Sequence, residues 1–292
     1  MYDLIVVGAG IAGVSAALYA KSRGLDVLVL EKDKVGGLIR NVSLVSHYAS
    51  AVGGETGEDF AKRLEDQLKN ADIEVKNEEV KALTKGEDSF SIKTDKGDYQ
   101  AEKVVVASGS SPKELDIERP QGFEFYHWAL GREDQVKDKT VIVNGGSDGA
   151  CKEAIYLAKY AKQVHIVQVA DKLLCIDEFK KKIQASDNIE VHCNSELKEV
   201  KAENGKITQA VLSDASIEDE NGIEVYVLVG QSGNSDFLQG DFKIENGFVQ
   251  NGDGVETEIE GLFLAGDIRV KDVRQLATAV CDGCLAGIKA AK

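Results

Sequence analysis

A chain of 292 residues, 43% of them hydrophobic, is long enough to bury a substantial core, favours two domains over one, and excludes a disordered or fibrous reading. Its formal charge of −15 at pH 7 repels nucleic acid and anionic lipid, which bind proteins mainly through Lys and Arg contacts to phosphate. No run of about 18 apolar residues offers a membrane span, and the chain enters an apolar strand at Leu4 without the basic and apolar regions of a signal peptide, so a cytoplasmic protein is expected.

Residues 4–7 read as an apolar strand, followed by a Gly turn, an alanine-rich helix at about 11–23 and a second strand at 27–30, which together make a βαβ unit. Gly24 stands where a helix C-terminal cap needs positive φ. A helix is expected near 56–70. Residues 80–99 then alternate apolar and polar around Lys85-Gly86 and Lys96-Gly97, as a small antiparallel meander does, and 104–107 gives a buried strand. The same order recurs: strand 140–143, Gly turn, helix to about 160, strand 164–169, weak strands about Asn204-Gly205 and Asn221-Gly222, and a closing strand at 225–229. The fold class is therefore α/β, a duplicated Rossmann-like dinucleotide-binding unit of the three-layer ββα kind. The only two prolines, Pro112 and Pro120, mark the crossing between copies. Beyond about residue 235 the chain runs through an Ala-Gly-Asp segment into an alanine-rich C-terminal helix.

In the first copy Gly8, Gly10 and Gly13 form G-x-G-x-x-G directly after a strand, and Glu31 ends the next strand. The first glycine permits the tight turn, the second lets backbone N–H groups approach a pyrophosphate, and the third lets helix and strand pack closely. The helix N-terminus attracts the phosphates, and an acid at Glu31 suits ribose hydroxyls while repelling a 2′-phosphate. In the second copy Gly145, Ser147 and Ala150 occupy the three slots and Gln168 replaces the acid. Ser147 puts a hydroxymethyl where a pyrophosphate needs bare backbone. Neither an acid for NAD nor an Arg for NADP follows, although Asp171 lies near enough in sequence to reach a ribose from a shifted position.

Further motifs are Gly36-Gly37, Ala107-Ser108-Gly109, Glu153-Ala154-Ile155-Tyr156-Leu157, Gly261-Leu262-Phe263-Leu264-Ala265-Gly266-Asp267 and Arg274-Gln275-Leu276-Ala277-Thr278-Ala279. With the glycine turn, these make essentially the whole chain resemble the low-molecular-weight thioredoxin reductases and their flavoprotein relatives. The resemblance implies FAD, a homodimer, and an FAD domain (1–112 and 235–292) interrupted by an NAD(P)-binding-like domain (113–234) with a degenerate nucleotide site. It implies that Asp267 binds the ribityl-phosphate region and that Arg274, Gln275 and Leu276 lie against the flavin pyrimidine. The FAD-binding set expected on this basis is Gly8, Gly10, Ile11, Ala12, Gly13, Glu31, Lys32, Gly36, Gly37, His47, Val80, Ala107, Gly109, Gly266, Asp267, Arg274, Gln275 and Leu276.

Three stretches depart from the family pattern. The redox Cys-x-x-Cys expected before the second glycine turn reads His127-Trp128-Ala129-Leu130, the basic NADP stretch reads Gln168-Val169-Ala170, and the flavin-proximal stretch reads Ser46-His47-Tyr48-Ala49-Ser50. His47, His127 and Trp128 are candidates to approach the flavin, each more commonly a packed or surface side chain. The Lys180-Lys181-Lys182 run is most simply a solvated helix face.

The five cysteines, at 151, 175, 193, 281 and 284, are odd in number and scattered, which suits a reducing compartment. The four histidines and five cysteines show no metal-ligand cluster, and no metal is expected. Cys281 and Cys284 remain as candidate catalytic dithiol, at the expected start of the last helix, where the helix dipole favours a thiolate and Asp282 opposes it. The resemblance sharpens this pair, since Cys281 replaces a glycine usual beside the flavin. The plainer reading is two packing cysteines, free Cys being among the most buried residue types.

The function expected is an FAD oxidoreductase that uses NADPH inefficiently, takes electrons from a protein donor such as ferredoxin, and passes them to a disulfide, as on a thioredoxin-like protein, or to another acceptor. Ferredoxin-dependent flavin thioredoxin reductases are the nearest precedent. Alternatives are an NAD(P)H-dependent flavin reductase with ferredoxin or a small molecule as acceptor, and a non-catalytic FAD-binding sensor or subunit.

Overall fold

A computed structural model describes residues 1–45 and 48–292. The chain forms two compact units, Met1–Ser111 with Ser232–Lys292, and Pro112–Gln231.

The first unit starts with β1 (Tyr2–Val7), α1 (Ile11–Lys21) and β2 (Val27–Glu31), then α2 (Gly57–Asn70) and β3 (Glu74–Asn77). The apolar run at 4–7 is buried throughout, as a central parallel strand covered on both faces requires. α2 buries Phe60, Ala61, Leu64 and Leu68 at helical spacing, and a reciprocal capping box between Thr56 and Asp59 starts it. β4 (Val80–Lys85), β5 (Phe90–Thr94) and β6 (Asp98–Val106) make the meander, and β7 (Ser110–Pro112) leads out of the unit. The buried strand expected at 104–107 is the end of β6, one nine-residue strand. Its start, Asp98 to Ala101, pairs antiparallel with β5, while Ala101 to Val106 pairs parallel with β1.

The second unit contains α3 (Glu133–Val136), β8 (Thr140–Asn144), α4 (Asp148–Leu157), β9 (Gln163–Gln168), α5 (Asp177–Gln184) and β10 (Ile189–Cys193). β11 (Leu197–Glu203), β12 (Lys206–Leu212) and β13 (Ser216–Glu218) follow as an antiparallel sheet, and β14 (Ile223–Val227) completes a parallel sheet of order β10-β9-β8-β14. Side chains alternate across that sheet. Val141, Val143, Val164 and Ile166 pack with Ala150, Ala154 and Leu157 of α4, whereas Ile142, Val167 and Val225 pack with Val200, Ala210 and Leu212 of the antiparallel sheet.

β15 (Gln231–Gly233) returns the chain to the first unit, where β16 (Ile244–Glu245), β17 (Phe248–Val249), β18 (Leu262–Leu264) and α6 (Leu276–Ala290) complete it. The main sheet has the order β3-β2-β1-β6-β5-β4, and β18 joins the end of β6. Leu4, Val6, Val29 and Val105 face the helices, and Ile5, Val7, Leu30 and Val106 face Leu83, Phe90 and Ile92 of the meander. Each unit is thus a three-layer Rossmann-like ββα fold, as expected from the sequence.

α1 and α6 pack backbone to backbone. A Cβ on Gly283 would stand 2.1 Å from the Ala12 carbonyl oxygen, and one on Gly287 2.4 Å from that of Ala16. Ser15 Oγ donates to the Val280 carbonyl at 3.0 Å across the same contact. No helix among the described residues is long and apolar enough to cross a membrane.

Candidate functional site

The site in the first unit is assembled where β1 turns into α1. Gly8 has φ of 100°, and a Cβ there would meet the Ala107 carbonyl oxygen at 2.4 Å, so only glycine lets the turn lie against the end of β6. A Cβ on Gly13 would fall 1.9 Å from the Gly8 oxygen, which makes it the packing glycine of the motif. Gly10 faces open space and is the N-cap of α1 with no side-chain hydrogen bond to the helix. The first N–H groups of α1, from Ile11 and Ala12, are therefore available to an anion. Gly36 donates its N–H to the Ala9 carbonyl at 2.8 Å, and a Cβ on Gly37 would stand 3.5 Å from Gly10 Cα, so both reach this turn.

Glu31 ends β2 with its carboxylate already engaged. Oε2 accepts the Ala9 N–H at 2.6 Å and Oε1 the Asp33 N–H at 3.0 Å. A carboxylate offers about four lone-pair positions, so it retains capacity for ribose hydroxyls. It borders a cleft of about 290 Å³ lined also by Gly8, Lys32, Val80, Ser108 and Phe237. Replacing Glu31 by Ala removes the anchor of the glycine turn together with a carboxylate that has capacity for ribose hydroxyls. FAD affinity is expected to fall about tenfold or more, measured by flavin fluorescence on dilution; unchanged occupancy would contradict the ribose role.

A second group closes on α1 from the C-terminal segment. Gly266, with φ of 78°, packs so that a Cβ would stand 2.8 Å from Ala12 Cβ, and its N–H donates to Asp282 Oδ2 at 3.1 Å. The neighbouring Asp267 has a buried Oδ1 without a hydrogen-bond partner, Lys271 Nζ being 3.6 Å away. Arg274 likewise has a buried Nε without a partner, while its Nη2 donates to the Arg269 carbonyl at 3.2 Å and its guanidinium lies 4.0 Å over the Phe248 ring. Gln275 caps α6 and exchanges hydrogen bonds with Thr278, and Leu276 packs on the helical core. An unsatisfied buried acceptor and donor are costly unless a ligand meets them. These orphaned atoms, with the bare Gly10 and uncapped α1, fit a flavin dinucleotide whose ribityl hydroxyls can donate to Asp267.

Burial pushes the Asp267 carboxyl above its usual range, with Lys271 and Arg274 opposing and Asp282 reinforcing the shift. The folded chain therefore holds a proton there more readily than the unfolded chain does; the associated stability is present in acid and is lost as pH rises through the folded-state pKa. Asp267→Asn is expected to raise the thermal midpoint of the flavin-stripped protein near pH 7, with the gain shrinking toward about pH 4, and to weaken flavin binding. Differential scanning fluorimetry across that range checks it; a lowered midpoint would contradict it.

Of the remaining expected residues, Ala107 is buried and donates its N–H to the Val7 carbonyl at 2.8 Å, and Gly109 has φ of 65° in the following turn. His47 lies outside the described residues. Unforeseen partners are Asn234 and Phe237. Asn234 Nδ2 donates to the Ser108 carbonyl at 2.9 Å and its own carbonyl accepts Ser108 Oγ at 2.7 Å, across 126 positions of sequence that offer no local signal.

The structure corrects the setting of Cys281 and Cys284. α6 begins at Leu276, so the cysteines lie in its second and third turns, beyond reach of the N-terminal dipole. Asp282 does not oppose a thiolate; it is buried and accepts from Arg269 Nη1 at 2.7 Å and Lys271 Nζ at 3.0 Å. Cys281 is exposed, and the half-buried Cys284 lies by Tyr19 and raises the tyrosine pKa.

In the second unit Gly145 repeats Gly8: φ is 122° and a Cβ would stand 2.3 Å from the Leu228 oxygen. Gln168 takes the place of Glu31, is buried, and reaches within 2.8 Å of a Cβ built on Gly146. Ser147 is the N-cap of α4 without a capping hydrogen bond. The stretch replacing the family's Cys-x-x-Cys is held by the protein itself. His127 Nδ1 lies 2.8 Å from the Val227 carbonyl oxygen and Nε2 3.0 Å from Glu114, while the buried Glu153 accepts the Ala129 N–H at 2.9 Å. Burial raises the Glu153 carboxyl.

The expected lack of a metal-ligand cluster is also corrected. Parallel pairing of β9 with β10 brings His165, Glu190 and His192 together, with ligand atoms within 4.8 Å of one another. Burial lowers the His165 pKa.

The family model of pyridine nucleotide-disulphide oxidoreductases matches residues 2–283. The chain is 31% identical over 305 aligned positions to a thioredoxin reductase of Peptoclostridium acidaminophilum, covering 100% of this chain and 96% of that one. The crystal structure of Lactococcus lactis thioredoxin reductase (FR conformation) matches with a TM-score of 0.92 at 26% identity, over 99% of this chain and 98% of that one. T. acidophilum thioredoxin reductase gives 0.90 at 28% identity, over 99% and 97%. A likeness that runs the length of both chains, on a fold with two such glycine turns, makes this chain a member of the pyridine nucleotide-disulphide oxidoreductase family and a thioredoxin-reductase-like, FAD-dependent oxidoreductase.

Proposed function

We propose that this oxidoreductase does not use NADPH efficiently and instead takes electrons from a protein donor such as ferredoxin, passing them to a disulfide or another acceptor. In this reading the FAD is held by the α1 N-terminus, Glu31, Lys32, Val80, Gly36-Gly37, Ala107, Gly109, Gly266-Asp267 and the segment Arg274-Gln275-Leu276. When bound, the flavin supplies both two-electron and one-electron redox chemistry. Glu31 orients the adenosine end, the α1 N–H groups neutralise pyrophosphate, and Asp267 fixes the ribityl chain.

The observation that carries the donor assignment is Gln168. It sits against Gly146 where a nucleotide-binding unit needs a ribose acid or lies next to a basic fork, and Val169-Ala170 follow it without one. Ser147, in the slot of the bare second glycine, adds a side chain at the phosphate position. A nicotinamide dinucleotide is left with fewer polar partners there, and a 2′-phosphate has none in this stretch.

Cys281 and Cys284 form the proposed dithiol on their one-turn spacing and the exposure of Cys281. A second copy of this chain and a thioredoxin-like protein are the partners that the family likeness favours. The test is disulfide reduction under anaerobic conditions, driven by NADPH or by reduced ferredoxin, in the native protein and in Cys281→Ser. Turnover with ferredoxin alone, lost in the variant, supports the reading. Equal turnover with NADPH overturns the donor, and undiminished turnover in Cys281→Ser overturns the dithiol.

A further inference from the structure

The edge of the parallel sheet in the second unit carries a second constellation, apart from any nucleotide turn. Parallel register sets His165 of β9 opposite Glu190 of β10, and His192, two residues on, shares the face of Glu190. His165 Nδ1 lies 3.1 Å from His192 Nε2. The Glu190 carboxylate stands 3.6 Å from His165 Nδ1 and 3.7 Å from His192 Nε2. Two ligands of one tetrahedral zinc ion, at about 2.0–2.1 Å each, stand roughly 3.3 Å apart. The three separations bracket that spacing.

We propose that His165, Glu190 and His192 form a binding site for a divalent transition ion of zinc type. Both histidines are buried, while Glu190 is exposed, so the ion enters from solvent and keeps an outward coordination position for water. His192 Nδ1 lies 3.4 Å from Asp214 Oδ2, and Asp214 accepts a further hydrogen bond from the buried Ser195 hydroxyl. An Nδ1–H donated to Asp214 leaves the His192 Nε2 lone pair directed at the other two ligands. This is the outer carboxylate that orients a metal-ligating histidine. Two neutral imidazoles with the Glu190 and Asp214 carboxylates balance a divalent charge, and the bound ion joins β9, β10 and the β12–β13 turn.

The plainer arrangement is a chain of hydrogen bonds, with His165 Nδ1–H donating to His192 Nε2 and His192 Nδ1–H to Asp214. That chain accounts for both histidines but gives Glu190 no role. The two arrangements differ in their response to metal.

The full-length flavoprotein, freed of metal by chelator, is titrated with Zn²⁺ by calorimetry and with Co²⁺ by visible absorption. The expected result is one ion per chain, a tetrahedral Co²⁺ spectrum without thiolate charge-transfer bands, and a raised thermal midpoint with Zn²⁺. Glu190→Gln, at an exposed position that leaves the fold intact, is expected to weaken Zn²⁺ binding about tenfold or more, and Asp214→Asn by about 10–100-fold. Thiolate bands, which would assign the ion to cysteines, or a Zn²⁺ affinity unchanged in both variants would overturn the site.

Discussion

Arg269→Met is expected to lower the unfolding free energy by about 3 kcal/mol, the low end for breaking a buried ion pair, because it takes one of two cations from a buried carboxylate and leaves Lys271 at 3.0 Å as the other. Arg269 Nη1 lies 2.7 Å from Asp282 Oδ1, and the two side chains are only 8% and 11% exposed. The same Asp282 holds the Gly266 N–H and Lys271, and Arg269 Nε donates to Asn251 Oδ1 at 3.2 Å. The network therefore fixes the turn carrying Asp267 against α6. Its loss should also release flavin. Urea denaturation and the flavin-to-protein absorbance ratio measure the two effects. Adding Asp282→Asn should recover part of the stability by removing a buried charge left with Lys271 alone, whereas an unchanged denaturation midpoint in Arg269→Met would contradict the assignment.

Gly283→Ala is expected to cost about 1–3 kcal/mol, the range for overpacking a filled contact, although the group added is one methyl. That methyl would stand 2.1 Å from the Ala12 carbonyl oxygen and 2.8 Å from Ser15 Cβ, and backbone yields less readily than a flexible side chain. α1 must then move from α6. Because the start of α1 is the proposed pyrophosphate site, flavin occupancy should fall together with the thermal midpoint. Leu285→Ala on the same helix serves as control, since Leu285 is 43% exposed and its truncation should leave both nearly unchanged. Equal behaviour of the two variants would contradict close helix packing as the support of the site.

The parts of this architecture that were legible in the sequence are those encoded locally. Gly8, Gly10, Gly13 and Glu31 lie within one βαβ unit, so strand, turn and helix signals fall in a single window, and the repeat of that pattern at Gly145 disclosed the second unit. The β6 strand was read as two pieces because its partners change midway, from β5 to β18, while the sequence records only alternation giving way to a continuous apolar run. The position of Cys281 was misplaced because Gln275 and Thr278 cap α6 a full turn earlier, in an order opposite to the usual Ser/Thr-x-x-Glu signature. Asp282 reads in the sequence as a charge that opposes a neighbouring thiolate, whereas the helix turns it inward to Arg269, a contact 13 residues away. His165 and His192 could not be joined at all, since their meeting depends on which strands pair and in what register.

The central claim, that the second glycine turn no longer delivers electrons from a nicotinamide, is tested most directly by one step rather than by turnover. The flavoprotein is mixed anaerobically in a stopped-flow instrument with NADPH, NADH or reduced ferredoxin, and flavin absorbance is followed. Rapid bleaching by ferredoxin, with the flavin still oxidised after mixing with either nucleotide, is the predicted result; rapid bleaching by NADPH would contradict it.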